Sequence, residues 1–211
     1  MTATVPDARP PGRRERKKQR TREALVDAAF ALFAEKGYDA TTVEEIADAV
    51  DVSSRTFFRY FASKEDVALT FQDEQLRAVL RLLSERPADE PIMTALRRTV
   101  VQVSRACETG ALGFTPERFE CLISITTDSP ALSAGSLEHA ARKQMLLTEV
   151  IAERMGLDPA TDLRPHLVAA TATGAFRTAA EALHSPGMGY ASLTEAVDAA
   201  FAILERELNT L

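Results

Sequence analysis

The sequence predicts an all-α protein, with an N-terminal three-helix helix-turn-helix domain followed by a larger helical domain. Three observations support this. Ala, Leu and Glu are abundant in a chain of 211 residues that is 45% hydrophobic but only 6% aromatic, with no Trp, a composition suited to aliphatic helix packing. Apolar residues recur at helical spacing, and Gly and Pro punctuate the periodic segments. Residues 42–61 read as two short helices joined by a tight turn.

Residues 1–14 form the expected disordered tail, with Pro6, Pro10, Pro11 and Gly12 among small polar residues. A basic run follows: Arg13, Arg14, Arg16, Lys17, Lys18, Arg20 and Arg22. The net charge of −6 hides this asymmetry. Residues 1–22 hold 8 basic and 2 acidic side chains, and residues 65–211 hold 13 against 21. A local basic arm beside a helix-turn-helix is what phosphates would meet.

The first helix is expected from about Arg16 to Lys36, with Leu25, Ala28, Ala29, Leu32 and Phe33 on one face and Gly37 as its stop. Thr42 with Glu45 three positions on is a capping box for a second helix, whose apolar face is Val43, Ile46, Ala47 and Val50. Asp51 tolerates a turn conformation, and Ser53 can cap a third helix carrying Thr56, Phe57, Tyr60 and Phe61. Phe57 and Phe61 are i and i+4 and face inward, which turns Ser54, Arg55, Phe58 and Arg59 outward. Arginine can fork onto guanine in a major groove, and an aromatic ring can lie on a thymine methyl. Ser63 with Asp66 caps a fourth helix running to about Arg86. Lys64 sits in its first turn, where a cation opposes the helix dipole, and a phosphate over that helix end would explain it.

Residues 20–70 carry Arg20-Thr-Arg-Glu-Ala-Leu, Phe33-Ala-Glu-Lys-Gly-Tyr, Thr41-Thr-Val-Glu-Glu-Ile-Ala, Val52-Ser-Ser-Arg-Thr-Phe-Phe-Arg-Tyr-Phe and Ser63-Lys-Glu-Asp-Val in order. This stretch resembles the DNA-binding domain of the tetracycline-repressor (TetR) family. The resemblance implies a helix-turn-helix domain over 15–64, a ligand-binding and dimerisation domain over 65–211, and a double-stranded DNA operator as partner. The residues assigned to DNA are Thr42, Ser53, Ser54, Arg55, Thr56, Phe58, Arg59, Tyr60 and Lys64. Three positions depart from the family pattern: Asp51 where Gly is usual, Phe58 where Tyr is frequent, and arginine at 55 and 59 where more neutral residues are common.

Beyond Pro87 and Pro91, helices are expected at about 92–108, 116–127, 131–155, 160–184 and 192–209. The fourth of these is rich in small residues, and the last has an apolar stripe of Leu193, Ala196, Val197, Ala200, Phe201 and Leu204. The resemblance implies that these last two helices form a homodimer interface. Two heads about one helical turn apart, roughly 34 to 36 Å, would double the contacts of one.

No phosphate loop, Gly-x-Ser-x-Gly, His-Glu-x-x-His or Cys-x-x-Cys is present, so no enzyme, cofactor or metal is expected. Cys107, Cys121 and His139 lack ligand spacing for zinc, and two isolated cysteines fit buried thiols in a reducing cytosol. The N-terminus lacks a signal-peptide core and no run approaches the roughly 18 apolar residues of a membrane span, so the reading is soluble, cytoplasmic and without a membrane partner. What remains is a helical domain able to enclose a small-molecule effector, of hydrophobic or acyl-CoA-like character by resemblance. The expected lining is Val103, Phe114, Phe119, Leu122, Ile123, Leu146, Val150 and Phe176, with Arg118, Arg142 and Arg177 for an anionic head group. The expected function is a homodimeric, ligand-responsive regulator, a repressor in the first instance. The alternative is a structural DNA-binding protein without sequence preference.

Overall fold

The computed structural model describes residues 12–128, 130–185 and 187–208. Among them all regular structure is helical: α1 Arg13–Lys36, α2 Val43–Asp48, α3 Ser54–Phe57, α4 Lys64–Glu85, α5 Ile92–Thr109, a single 3₁₀ turn Ala111–Gly113, α6 Pro116–Asp128, α7 Pro130–Met155, α8 Arg164–Leu183 and α9 Leu193–Leu208. The chain divides into two compact units, 1–70 and 71–211.

In the first unit, α1 starts at Arg13, ahead of the expected Arg16. The basic side chains from Arg13 onward therefore project from a helix and not from an extended arm. Arg, Lys, Gln and Glu are good helix formers, and Glu15 in the first turn complements the dipole. Residues 1–11 of the expected tail lie outside the described residues. α1 ends where Gly37 takes φ +89, a region that side chains rarely enter, and its N–H bonds the Phe33 carbonyl at 3.0 Å. The capping box of α2 is complete: Glu45 N–H donates to the Thr42 hydroxyl at 3.3 Å, and Thr42 N–H donates back to the Glu45 carboxylate at 2.9 Å. Asp51 adopts φ +55 in the α2–α3 turn, as its side chain permits.

The core of this unit is Leu25, Val26, Phe30, Phe33, Tyr38, Ile46, Phe57 and Phe61, all buried. Each such large side chain contributes on the order of 1.5 to 3 kcal/mol by leaving water. Leu32 and Val50, expected in the core, are only half-buried, and Tyr38 takes a place there instead, its ring 5.1 Å from that of Phe33. The unit closes at Thr70, beyond the expected boundary at Lys64, and Val67, Ala68 and Leu69 of α4 are buried within this span.

The second unit packs α5, α8 and α9 together, with α7 against α8. Leu96, Val103, Ile151, Val168, Val197 and Phe201 are buried. Charged groups tie the edges of this packing. Arg97 of α5 bonds Asp198 at 2.8 Å and Glu205 at 2.6 Å on α9, and Glu108 accepts from the Thr194 N–H at 3.1 Å, capping α9. Arg154 of α7 donates to the carbonyls of Arg86, Pro87 and Glu90, holding the α4–α5 turn. α8 begins at Arg164, later than the expected 160. Asp158 folds residues 158–162 into a turn, its carboxylate accepting from Ala160 N–H at 2.9 Å and its carbonyl from Asp162 N–H at 3.0 Å. The other helix boundaries of this unit fall within about two residues of expectation, the usual scatter at helix ends.

Candidate nucleic-acid interface

The α2–turn–α3 unit is set by short-range chemistry. Val52 N–H returns to the Ala47 carbonyl at 3.0 Å, closing the turn around Asp51. The Ser53 hydroxyl then caps α3, accepting from Thr56 N–H at 3.2 Å, and lies 3.1 Å from the Thr56 hydroxyl. α3 itself is one turn long. It continues to Phe61 through tighter bonds, Arg59 N–H to Thr56 at 3.2 Å and Tyr60 N–H to Phe57 at 2.8 Å, followed by Phe61 N–H to Phe57 at 3.1 Å.

Phe57 is fully buried and its ring lies 5.7 Å from that of buried Phe61, so the inward face is fixed by packing. Opposite it, Ser53, Arg55, Phe58 and Arg59 are exposed, and Ser54, Thr56 and Tyr60 are half-buried. Phe58 is 55% exposed, although its edge meets the Phe57 ring at 5.5 Å. The large apolar Phe58 ring thus stands in water beside the two exposed arginines. Thr42 is exposed at the start of α2. From Arg13 to Arg20 the basic side chains of α1 are exposed, whereas the Arg22 guanidinium lies 4.9 Å from the centre of the Phe61 ring, a cation–π contact that brings the end of the basic run against the base of α3.

Lys64 is placed differently from its expected setting. Its ammonium donates to the carbonyls of Tyr38 at 2.9 Å and Thr41 at 3.1 Å, with Asp39 at 3.4 Å, and lies 4.4 Å from the centre of the Tyr38 ring. These partners account for a cation in the first turn of α4 without a phosphate. Sequence reasoning missed them because they lie more than twenty residues upstream.

With this geometry in place, comparison with known proteins is decisive. Residues 25–70 match the model of the bacterial regulatory proteins of the tetR family, and residues 90–209 match the MftR C-terminal domain. The chain belongs to the TetR family of bacterial regulators. It is 39% identical over 161 residues to the HTH-type transcriptional regulator TcmR of Streptomyces glaucescens, covering 76% of this chain and 71% of that one. It is 29% identical to the putative mycofactocin biosynthesis transcriptional regulator MftR of Mycobacterium tuberculosis, over 93% and 95% of the two chains. Among solved structures, Thermus thermophilus FadR, a TetR-family repressor in complex with lauroyl-CoA, shares the fold with a TM-score of 0.57 at 23% identity, over 89% of this chain and 94% of that one.

In the second unit of this TetR-family chain, the apolar residues expected to line a pocket divide evenly between buried and half-buried positions. Val103, Phe114, Phe119 and Leu122 are buried, and Ile123, Leu146, Val150 and Phe176 are half-buried. Phe114 and Phe119 converge on Phe71 of α4, with ring centres 5.4 and 6.0 Å away. Of the expected cations, Arg118 is half-buried and Arg142 exposed, and Arg177 is exposed beside Glu181 at 3.5 Å. None of these residues lines the open cleft of about 580 Å³ between α5 and α9, whose walls include Arg97, Arg98, Val101, Arg105, Leu112 and Asp198.

A further half-buried cation of this unit is Lys143 on α7, which sequence reasoning did not single out. The signal was present, since Lys143 is i−4 and i−8 from buried Leu147 and Ile151 and so shares their inward face. Cys107 and Cys121 are buried; burial pushes the Cys107 thiol up to about 11, and Gln75 donates to its sulfur at 3.3 Å. Among the described residues no group of three His, Cys, Asp or Glu is placed to hold a metal, and no helix is long and apolar enough to cross a membrane. The side chain of His139 lies outside what is described.

Proposed function

We propose that this TetR-family regulator is a homodimeric repressor that binds a palindromic operator through two α3 heads and is released by a small molecule in its second unit. The observation that carries the reading is the exposed face of Ser53, Arg55, Phe58 and Arg59 above the fully buried Phe57. In this reading Arg55 reaches a guanine edge and Phe58 a thymine methyl. Thr42, Ser53, Ser54, Thr56, Arg59 and Tyr60 position the head on the backbone. Lys64 acts on DNA contact through the loop it holds, from which α2 starts. The helical basic run of α1 supplies the salt-dependent attraction.

Dimerisation through α8 and α9 is supported by Leu163, Leu167 and Ile203, which are 75%, 61% and 54% exposed. Gly174, in the middle of α8, has open space where a side chain would stand. A mid-helix glycine costs about 1 kcal/mol against alanine, a cost that close approach of a second helix explains. An acyl-CoA-like effector is in keeping with the fold shared with the lauroyl-CoA-bound FadR. An effector acts only through its difference in affinity for the two states, typically about 1 to 3 kcal/mol of coupling.

The test is fluorescence anisotropy against duplexes selected from a randomised pool. A repressor of this kind enriches an inverted repeat, binds it as two chains per site and loses affinity steeply with salt. Equal competition by random DNA would instead favour the structural DNA binder.

A further inference from the structure

Lys143 of α7 is half-buried inside the second unit. Its ammonium donates to the Gln72 side-chain oxygen across the α4–α7 contact, a neutral partner. Among the described residues no carboxylate forms an ion pair with it; Asp73, next to Gln72 on α4, acts on it electrostatically. Burial pushes the ammonium down to about 8, although Asp73 pulls the other way. Phe71 precedes Gln72 on α4 and packs with Phe114 and Phe119. Leu147 and Ile151, four and eight residues beyond Lys143 on α7, are buried on its side of the helix. By contrast, the exposed Arg142 and Arg177 are already solvated and have little to gain from a ligand's charge.

We infer that Lys143 is the anion-binding residue of the effector site: the carboxylate or phosphate end of an amphipathic ligand displaces the Gln72 amide from its ammonium while the apolar body packs toward Phe71, Phe114 and Phe119. This rests on the effector-responsive reading above. A half-buried ammonium gains more from a full negative charge than from an amide dipole, because the surrounding dielectric is low. The exchange releases Gln72 on α4, the helix that runs on into the first unit. Ligands with a neutral head would leave the Lys143–Gln72 bond in place.

The experiment uses three probes with one chain length: dodecanoate, dodecyl phosphate and dodecanol. Calorimetric titration of the full-length protein is expected to show about tenfold or greater preference for an anionic probe over the alcohol. Whichever anion binds more tightly identifies the head group. Lys143→Met should abolish the preference while keeping dodecanol binding, Lys143→Arg should restore it, and Gln72→Glu should block it with an internal carboxylate. In the nitrogen NMR titration of Lys143, the anion should raise the ammonium's pKa from its ligand-free value. Unchanged anion binding by Lys143→Met, a wild-type preference for dodecanol, or no binding of any probe at its solubility limit would each overturn the inference. Operator titrations on the same samples separate the two failures. Intact operator binding without an anion response defeats only the Lys143 assignment, whereas absence of operator binding defeats the reading beneath it.

Discussion

The Lys64 ammonium stands 4.4 Å from the centre of the Tyr38 ring and 2.9 Å from the carbonyl of the same residue. One side chain of α4 thereby closes the loop between α1 and α2. Lys64→Met keeps the aliphatic stem and removes the charged donor, so it should cost about 1.5 to 3 kcal/mol of stability, visible as a lower Tm in thermal melts without DNA. An unchanged melt with weakened operator binding would assign Lys64 to phosphate alone.

Among the described residues two that are not glycine are left-handed, Asp51 at φ +55 and Leu112 at φ +56, and both carry backbone strain. Aspartate tolerates this conformation better than leucine. Asp51→Gly should therefore raise stability by only a few tenths of a kcal/mol, and Leu112→Gly by about 1 kcal/mol, since Leu112 is 48% exposed and loses little burial. Chemical denaturation of the two variants checks the order.

Acid should act on the α1–α2 junction. A hydrogen bond from Lys36, then the backbone and hydroxyl of Thr42, holds the Glu45 carboxyl down at about 2 from its ordinary 4.5. A carboxylate lowered in the folded state adds stability that is present above the unfolded value and lost as pH falls toward the folded one. The Glu45 contribution should fade between pH 4.5 and about 2. Thermal melts of Glu45→Gln across that window should show a flatter acid dependence than the wild type.

Much of this was legible in the chain because it is local. Thr42 with Glu45, Asp51, Ser53 and Gly37 each act within a few residues, and the i, i+4 pair Phe57 and Phe61 declares the buried side of α3. What escaped reading is long-range. Tyr38 packs in the core while Lys64, far along the chain, holds its carbonyl, Phe71 gathers Phe114 and Phe119 from other elements, and the partner of Lys143 lies on α4. The late start of α8 is a local miss, since the Asp158 carboxylate competes for the backbone N–H groups that a helix would have used.

The face proposed for dimerisation can be probed without touching the core. Leu167→Glu combined with Ile203→Glu places charges at exposed positions, so the fold should persist while sedimentation shifts from two chains to one. Gly174→Leu meets open space within one chain and should have the same effect on assembly. Dimers that survive all three substitutions would place the interface elsewhere.

In the proposed complex α3 presents Arg55 to base edges. The most direct measurement is the affinity of Arg55→Ala for the selected operator and for duplexes carrying each single base change. The expected result is a loss of about 1 to 3 kcal/mol on the selected operator, with discrimination relaxed at one position in each half-site. Equal weakening on every duplex, with the base preference intact, would contradict it.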